Sequence, residues 1–92
     1  MFRLWGIVRK NNKIIMDMVS EYNGADLSEQ DRLHRCIEEI CYNLDLERPI
    51  WLEKNQREYQ EYKRTVLTQD NFIERINFDT LELEVISDDE PL

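Results

Sequence analysis

Phe2-Arg3-Leu4-Trp5-Gly6-Ile7-Val8-Arg9, running into Lys10-Asn11-Asn12-Lys13, decides the fold of this 92-residue chain. In an extended strand, alternate side chains point to opposite faces. Phe2, Leu4 and Val8 then share one face, and Arg3, Trp5, Ile7 and Arg9 share the other. Apolar groups on both faces mark a strand inside a sheet rather than at its edge. Two consecutive asparagines tolerate the positive φ angles that a tight hairpin turn requires. A second strand therefore follows from Lys13 to about Val19, carrying Ile14, Ile15, Met16 and Met18.

Downstream, Asn23 to Asp26 reads as a loop, and Ser28 opens the clearest helix, running to about Leu44. Its hydroxyl is placed to cap free backbone N–H groups, and Glu29 and Asp31 suit the positive end of the helix dipole. Leu33, Cys36, Ile37, Ile40, Cys41 and Leu44 fall at the helical period on one stripe, opposite Arg32, Arg35, Glu38 and Glu39. Pro49 predicts the end of that helix, because it disfavours helical backbone at the residue before it. Asn55, with Glu58 three residues on, marks the start of a short second helix over 56–62. A short strand over 65–68 follows. A helical turn within 69–74 is expected to seat Phe72 and Ile73. The last strand, Thr80 to Ile86, alternates Leu81, Leu83 and Val85 with Thr80, Glu82, Glu84 and Ile86, so one of its faces is buried.

These elements predict a two-layer α+β domain over residues 1–87, with residues 88–92 as a disordered acidic tail. An antiparallel sheet of about four strands, in the order second, first, fourth, third, carries the main helix on one face. A small, partly open barrel plugged by the helix is the alternative. With roughly 60–65% of its unfolded surface buried, a chain of this size supports one modest core and about 5–9 kcal/mol of stability.

Charge supports that strand order. Residues 1–16 carry Arg3, Arg9, Lys10 and Lys13 and no acid. Residues 69–92 carry eight acids against Arg75, which accounts for −7 of the net charge of −8. If the first and last strands are neighbours, Arg3 and Arg9 meet Glu82 and Glu84 on one sheet face, where such pairs help to set register. Trp5 and Ile7 lie on that same face. It is expected to be roofed by Trp51, Tyr59 or Tyr62 as a minor core. The competing arrangement leaves it open as an aromatic patch with a charged rim, the usual chemistry of a protein interface.

The residues for most catalytic chemistries are missing. His34, the single histidine, is two residues from Cys36 and two helical turns from Cys41, out of reach of both as a base. It is expected to bond Glu38 instead. Five residues of helix separate Cys36 from Cys41, so their side chains diverge, and buried, reduced thiols are expected. Two thiols and one imidazole do not complete a zinc shell. Gly6 and Gly24 are the only glycines, too few for a phosphate-cradling loop. No catalytic residue, metal ligand or cofactor is expected. The acidic balance disfavours nucleic acid and anionic membrane as general partners. No apolar run approaches the roughly 18 residues of a membrane span, and no targeting segment is recognised. Tyr42, opposite the apolar stripe, is expected to cover the loop near Ile50 or Trp51.

Three stretches carry a resemblance: Met1-Phe2-Arg3-Leu4-Trp5-Gly6; Glu38-Glu39-Ile40-Cys41-Tyr42 leading to Pro49-Ile50-Trp51-Leu52; and Gln69-Asp70-Asn71-Phe72-Ile73-Glu74 with Phe78-Asp79 and Leu81-Glu82. Along almost its whole length, the chain resembles a family of short, stand-alone uncharacterised proteins of anaerobic Gram-positive bacteria. The resemblance implies a cytoplasmic bacterial protein and brings no activity or site with it. In that family a lysine follows position six, where this chain has Ile7, so no site is built on Ile7.

The sequence therefore points to a non-enzymatic module that binds an unidentified protein, with Arg3, Trp5, Arg9, Lys10, Lys13, Glu82 and Glu84 as its candidate surface. The alternative is a nucleic-acid accessory protein using the basic hairpin residues Arg3, Arg9, Lys10 and Lys13.

Overall fold

Asn11 and Asn12 sit at φ of 53° and 65° and close a hairpin between β1 (Phe2–Lys10) and β2 (Lys13–Tyr22). Positive φ at both central residues matches the twist of the flanking strands. The computed structural model describes residues 1–88. After the hairpin come α1 (Glu29–Asn43), α2 (Glu53–Tyr62), β3 (Arg64–Leu67), a 3₁₀ turn at Gln69–Asn71, and β4 (Thr80–Asp88). The four strands form one open antiparallel sheet in the order β2-β1-β4-β3. The order is the one expected from the two-sided first strand, and the sheet does not close into a barrel.

Ser28 caps α1, its hydroxyl accepting the Asp31 N–H at 3.1 Å. The helix ends at Asn43, six residues before Pro49, and for a different reason from the one expected. Asp45 adopts a left-handed φ of 58°, and two backbone bonds fold the chain back: Leu46 N–H to Cys41 O at 2.8 Å and Asp45 N–H to Tyr42 O at 3.1 Å. These bonds satisfy carbonyls that the helix end would leave free.

The apolar stripe of α1 buries Leu33, Cys36, Ile37, Ile40 and Cys41 against Phe2, Leu4 and Val8 of β1 and Leu81 and Leu83 of β4. Gly6 lies at the closest approach of helix and sheet. A Cβ there would sit 3.0 Å from Ile40 Cγ2 and 3.6 Å from Leu81 Cδ1. Gly6→Val is therefore expected to destabilise by about 2–3 kcal/mol through overpacking, read as a lower urea midpoint at unchanged slope.

Asn55 is not the helix cap that the sequence suggests. It lies inside α2, fully buried, and links four segments. Its Oδ1 accepts the Leu52 N–H at 3.1 Å and the Asn71 amide at 2.8 Å, while its own amide donates to Thr65 Oγ1 at 2.8 Å and Val66 O at 3.3 Å. Asn71, equally buried, donates to Ile50 O at 2.8 Å and accepts the Thr68 N–H at 3.0 Å. This network holds α2 against β3 on the same sheet face as α1, so both helices form one layer.

Other departures are local. Phe72 is buried as expected, but Ile73 is 83% exposed. Tyr42 is 82% exposed and covers nothing. Asp88, read as the start of the tail, pairs with Phe2 as the end of β4; residues 89–92 of that tail lie outside the described residues.

Candidate interaction surface

With both helices in one layer, the opposite sheet face carries no covering element among the described residues. β1 runs through its middle. Trp5 lies between Val19 of β2 and Glu84 of β4, and Ile7 lies between Asp17 and Glu82. Arg64 and Val66 of β3 continue the same rows, across from Glu84 and Glu82. The expected roof is absent. Trp51 packs edge-on against His34 (ring centroids 5.3 Å apart) and Tyr59 (6.4 Å), inside the helical layer, and Tyr62 is exposed. The Asn55 network draws α2 to the other side of the sheet.

The uncovered face is ordered by its polar contacts. Trp5 Nε1 donates to Asp17 Oδ2 at 3.0 Å, which fixes the half-buried indole. Arg3 pairs with Glu21 at 3.2 Å. Glu82, 8% exposed, accepts Arg9 at 3.3 Å on one carboxylate oxygen and Arg64 on the other. Flanked by these long side chains, Ile7 is only 2% exposed although no second layer covers it. The structure thus brings Arg3, Trp5, Arg9, Glu82 and Glu84 onto one face. Lys10 and Lys13 stand apart at the hairpin tip, where the Asn11 N–H bonds Asp79 Oδ2 at 2.9 Å.

Asp17, Val19, Glu21, Arg64 and Val66 belong to this face and were not anticipated. A bulge in β2 explains three of them. The pairing steps from Arg9–Ile14 to Val8–Met16, leaving Ile15 as an extra residue. Without it, Met16 and Met18 would oppose Ile7 and Trp5. One inserted residue exchanges the faces of everything beyond it.

The helical layer holds a separate cleft of about 540 Å³ beside Asp31, His34, Glu38, Arg48 and Trp51. His34 does not bond Glu38, which pairs with Arg48. Its Nε2 lies 2.9 Å from the Gln30 amide, and Gln30 bonds Gln56, which accepts Trp51 Nε1 at 2.7 Å. Burial, helped by nearby Arg48, holds the His34 pKa below its ordinary 6.5. The folded chain then keeps His34 neutral where the unfolded chain takes up a proton. Stability from this group is complete above about pH 6.5 and falls as pH drops toward the folded pKa. His34→Gln is expected to remove that decline from the pH dependence of urea unfolding between roughly pH 7 and 5.

Neither thiol is arranged for nucleophilic chemistry. Cys36 and Cys41 are unpaired and buried; burial raises both thiols, Cys41 to about 11. A disulfide reagent at neutral pH is expected to leave both unmodified in the native protein and to titrate both after denaturation. Rapid native reaction of either would contradict their placement in the core. Among the described residues, no three His, Cys, Asp or Glu side chains are grouped to hold a metal ion, and no helix is long and apolar enough to cross a membrane.

Comparison with protein-family models, with curated proteins and with solved structures gives no match.

Proposed function

We propose that this chain is a cytoplasmic, non-enzymatic protein-interaction module whose docking surface is the sheet face opposite the helices. The observation that carries this reading is the uncovered face itself. It centres on an indole pinned by one hydrogen bond, between Val19 and Glu84 and inside a rim of ion pairs. A pre-positioned tryptophan within a charged rim is the usual energetic centre of a protein interface. It loses little conformational entropy on binding, and the rim supplies selectivity.

Capture from native cell extract tests the reading, with folding of each variant checked by circular dichroism. The wild-type chain is expected to retain a protein that Trp5→Ala loses and Tyr42→Ala keeps. Equal retention by Trp5→Ala would overturn it.

The nucleic-acid alternative has less support. Of its four cations, Arg3 and Arg9 are already paired with Glu21 and Glu82, and Asp79 lies beside the turn. Only Lys10 and Lys13 remain without an ion pair among the described residues. No binding to single- or double-stranded DNA at low salt is expected. Binding that weakens steeply with salt and is lost in Lys10→Glu/Lys13→Glu would put this reading first.

A further inference from the structure

The charges on the uncovered face fall into columns, one per strand, of alternating sign. β2 presents Asp17 and Glu21, β1 presents Arg3 and Arg9, β4 presents Glu82 and Glu84, and β3 presents Arg64. An even number of strands with alternating sign has a particular symmetry. Rotate a second copy by half a turn about an axis lying between two stacked sheets and parallel to the strands. Strand order is then reversed across the interface. β1 faces β4 of the other copy, and β2 faces β3, so every column meets one of opposite sign. A two-fold axis perpendicular to the strands would set each column on itself, plus on plus and minus on minus. Only the first arrangement is electrostatically permitted.

We propose that the partner of this face is a second copy of the same chain, joined in a two-fold, face-to-face sheet sandwich. The proposal rests on the reading of this face as an interaction surface and names its occupant. Stacked sheets sit about 10 Å apart with strands nearly aligned, a separation that arginine and glutamate side chains span. In this arrangement Arg3 and Arg9 of one copy reach inward from the two ends of β1 to Glu84 and Glu82 of the other. Trp5 and Ile7 lie between them. Arg64 falls between the Asp17 and Glu21 of the opposite copy. The apolar groups of the face, Trp5, Val19 and Val66, then lie over Glu84, Arg64 and Asp17 of the other copy, so apolar and charged side chains interleave across the interface.

The area is small. Three strands of roughly 25 Å and the four-residue β3 of about 13 Å, at about 4.8 Å spacing, give about 420 Å² per copy. The total of about 850 Å² lies in the range of weak, transient contacts. A weak dimer is the consequence, one that forms at micromolar concentrations and weakens with salt.

Glu84 has no ion pair among the described residues, and Arg3 pairs only at the exposed edge of the sheet, so both can be altered without disturbing the core. Sedimentation velocity on the full chain from roughly 1 µM to roughly 1 mM provides the test. Wild type is expected to move from monomer to dimer across this range. Arg3→Glu alone and Glu84→Arg alone each set like charges together twice, and each is expected to weaken the dimer about tenfold or more. Mixed in equal amounts, the two variants set opposite charges together twice, and a heterodimer is expected to form. Trp5→Ala is expected to remain monomeric without relying on any charge.

A wild-type chain that stays monomeric throughout would overturn the dimer. The docking face itself would then stand or fall on the Trp5-dependent capture of a different protein. A dimer indifferent to these changes, or a mixture that fails to associate, would place the contact elsewhere and equally overturn the proposal.

Discussion

Asn55→Ala is expected to cost about 3–5 kcal/mol, roughly half of the stability available to a domain of this size. The side chain caps the Leu52 N–H from inside the helix, and its cost comes from what it leaves behind. Removing it strips the Leu52 N–H and the Val66 carbonyl of a partner and takes one bond from Asn71 and one from Thr65, all at a fully buried site. Each buried polar group left without a partner costs about 1–3 kcal/mol, and the vacated volume adds to that. Equilibrium urea unfolding measures the loss. Asn71→Ala acts on the same network, so the double variant is expected to lose less than the sum of the single losses. Strict additivity would mean that the two asparagines do not act as one unit.

Ile40→Asp is expected to abolish folding at neutral pH. Ile40 is fully buried, packs over Gly6 at the closest point between helix and sheet, and has no cation placed to compensate a carboxylate there. Desolvating that charge costs more than the whole domain can supply. Ile40→Val removes one methylene and is expected to cost only about 1 kcal/mol. The contrast is read by near-ultraviolet circular dichroism, which reports fixed aromatic surroundings. A native spectrum from Ile40→Asp would mean that the helical stripe does not face the sheet.

The strand order was legible because β1 carries apolar residues on both sides, and because its basic face has a natural neighbour in the acidic β4. The α1 stripe was legible for the same kind of reason: a long periodic signal with no competing pattern. Two things were not. The bulge at Ile15 depends on how the hairpin twists against its neighbours, and an isoleucine among isoleucine and methionine gives no local sign of it. Asn55 has the residue type of a cap, and its place three residues further in depends on contacts with Thr65 and Asn71, which lie 10 and 16 residues away along the chain. That one misplacement put Trp51 and Tyr59 on the wrong side of the sheet. It closed a face that is open; on that face the structure gathers Arg3, Trp5, Arg9, Glu82 and Glu84, while Lys10 and Lys13 stand apart at the hairpin tip.

The position of β1 also governs the order of events during synthesis. Its first neighbour, β2, is made at once, but β4 is made only after both helices and β3. Until then the apolar row of Phe2, Leu4 and Val8 has a hairpin partner and, once α1 has formed, a helix over it, yet its other hydrogen-bonding edge stays open. Long-range pairing of this kind is slow to form, and an unpaired central edge is the state most prone to aggregate. For this protein the vulnerable interval lies before the native state exists, and variants that delay β4 are expected to lower yield more than they lower the melting temperature.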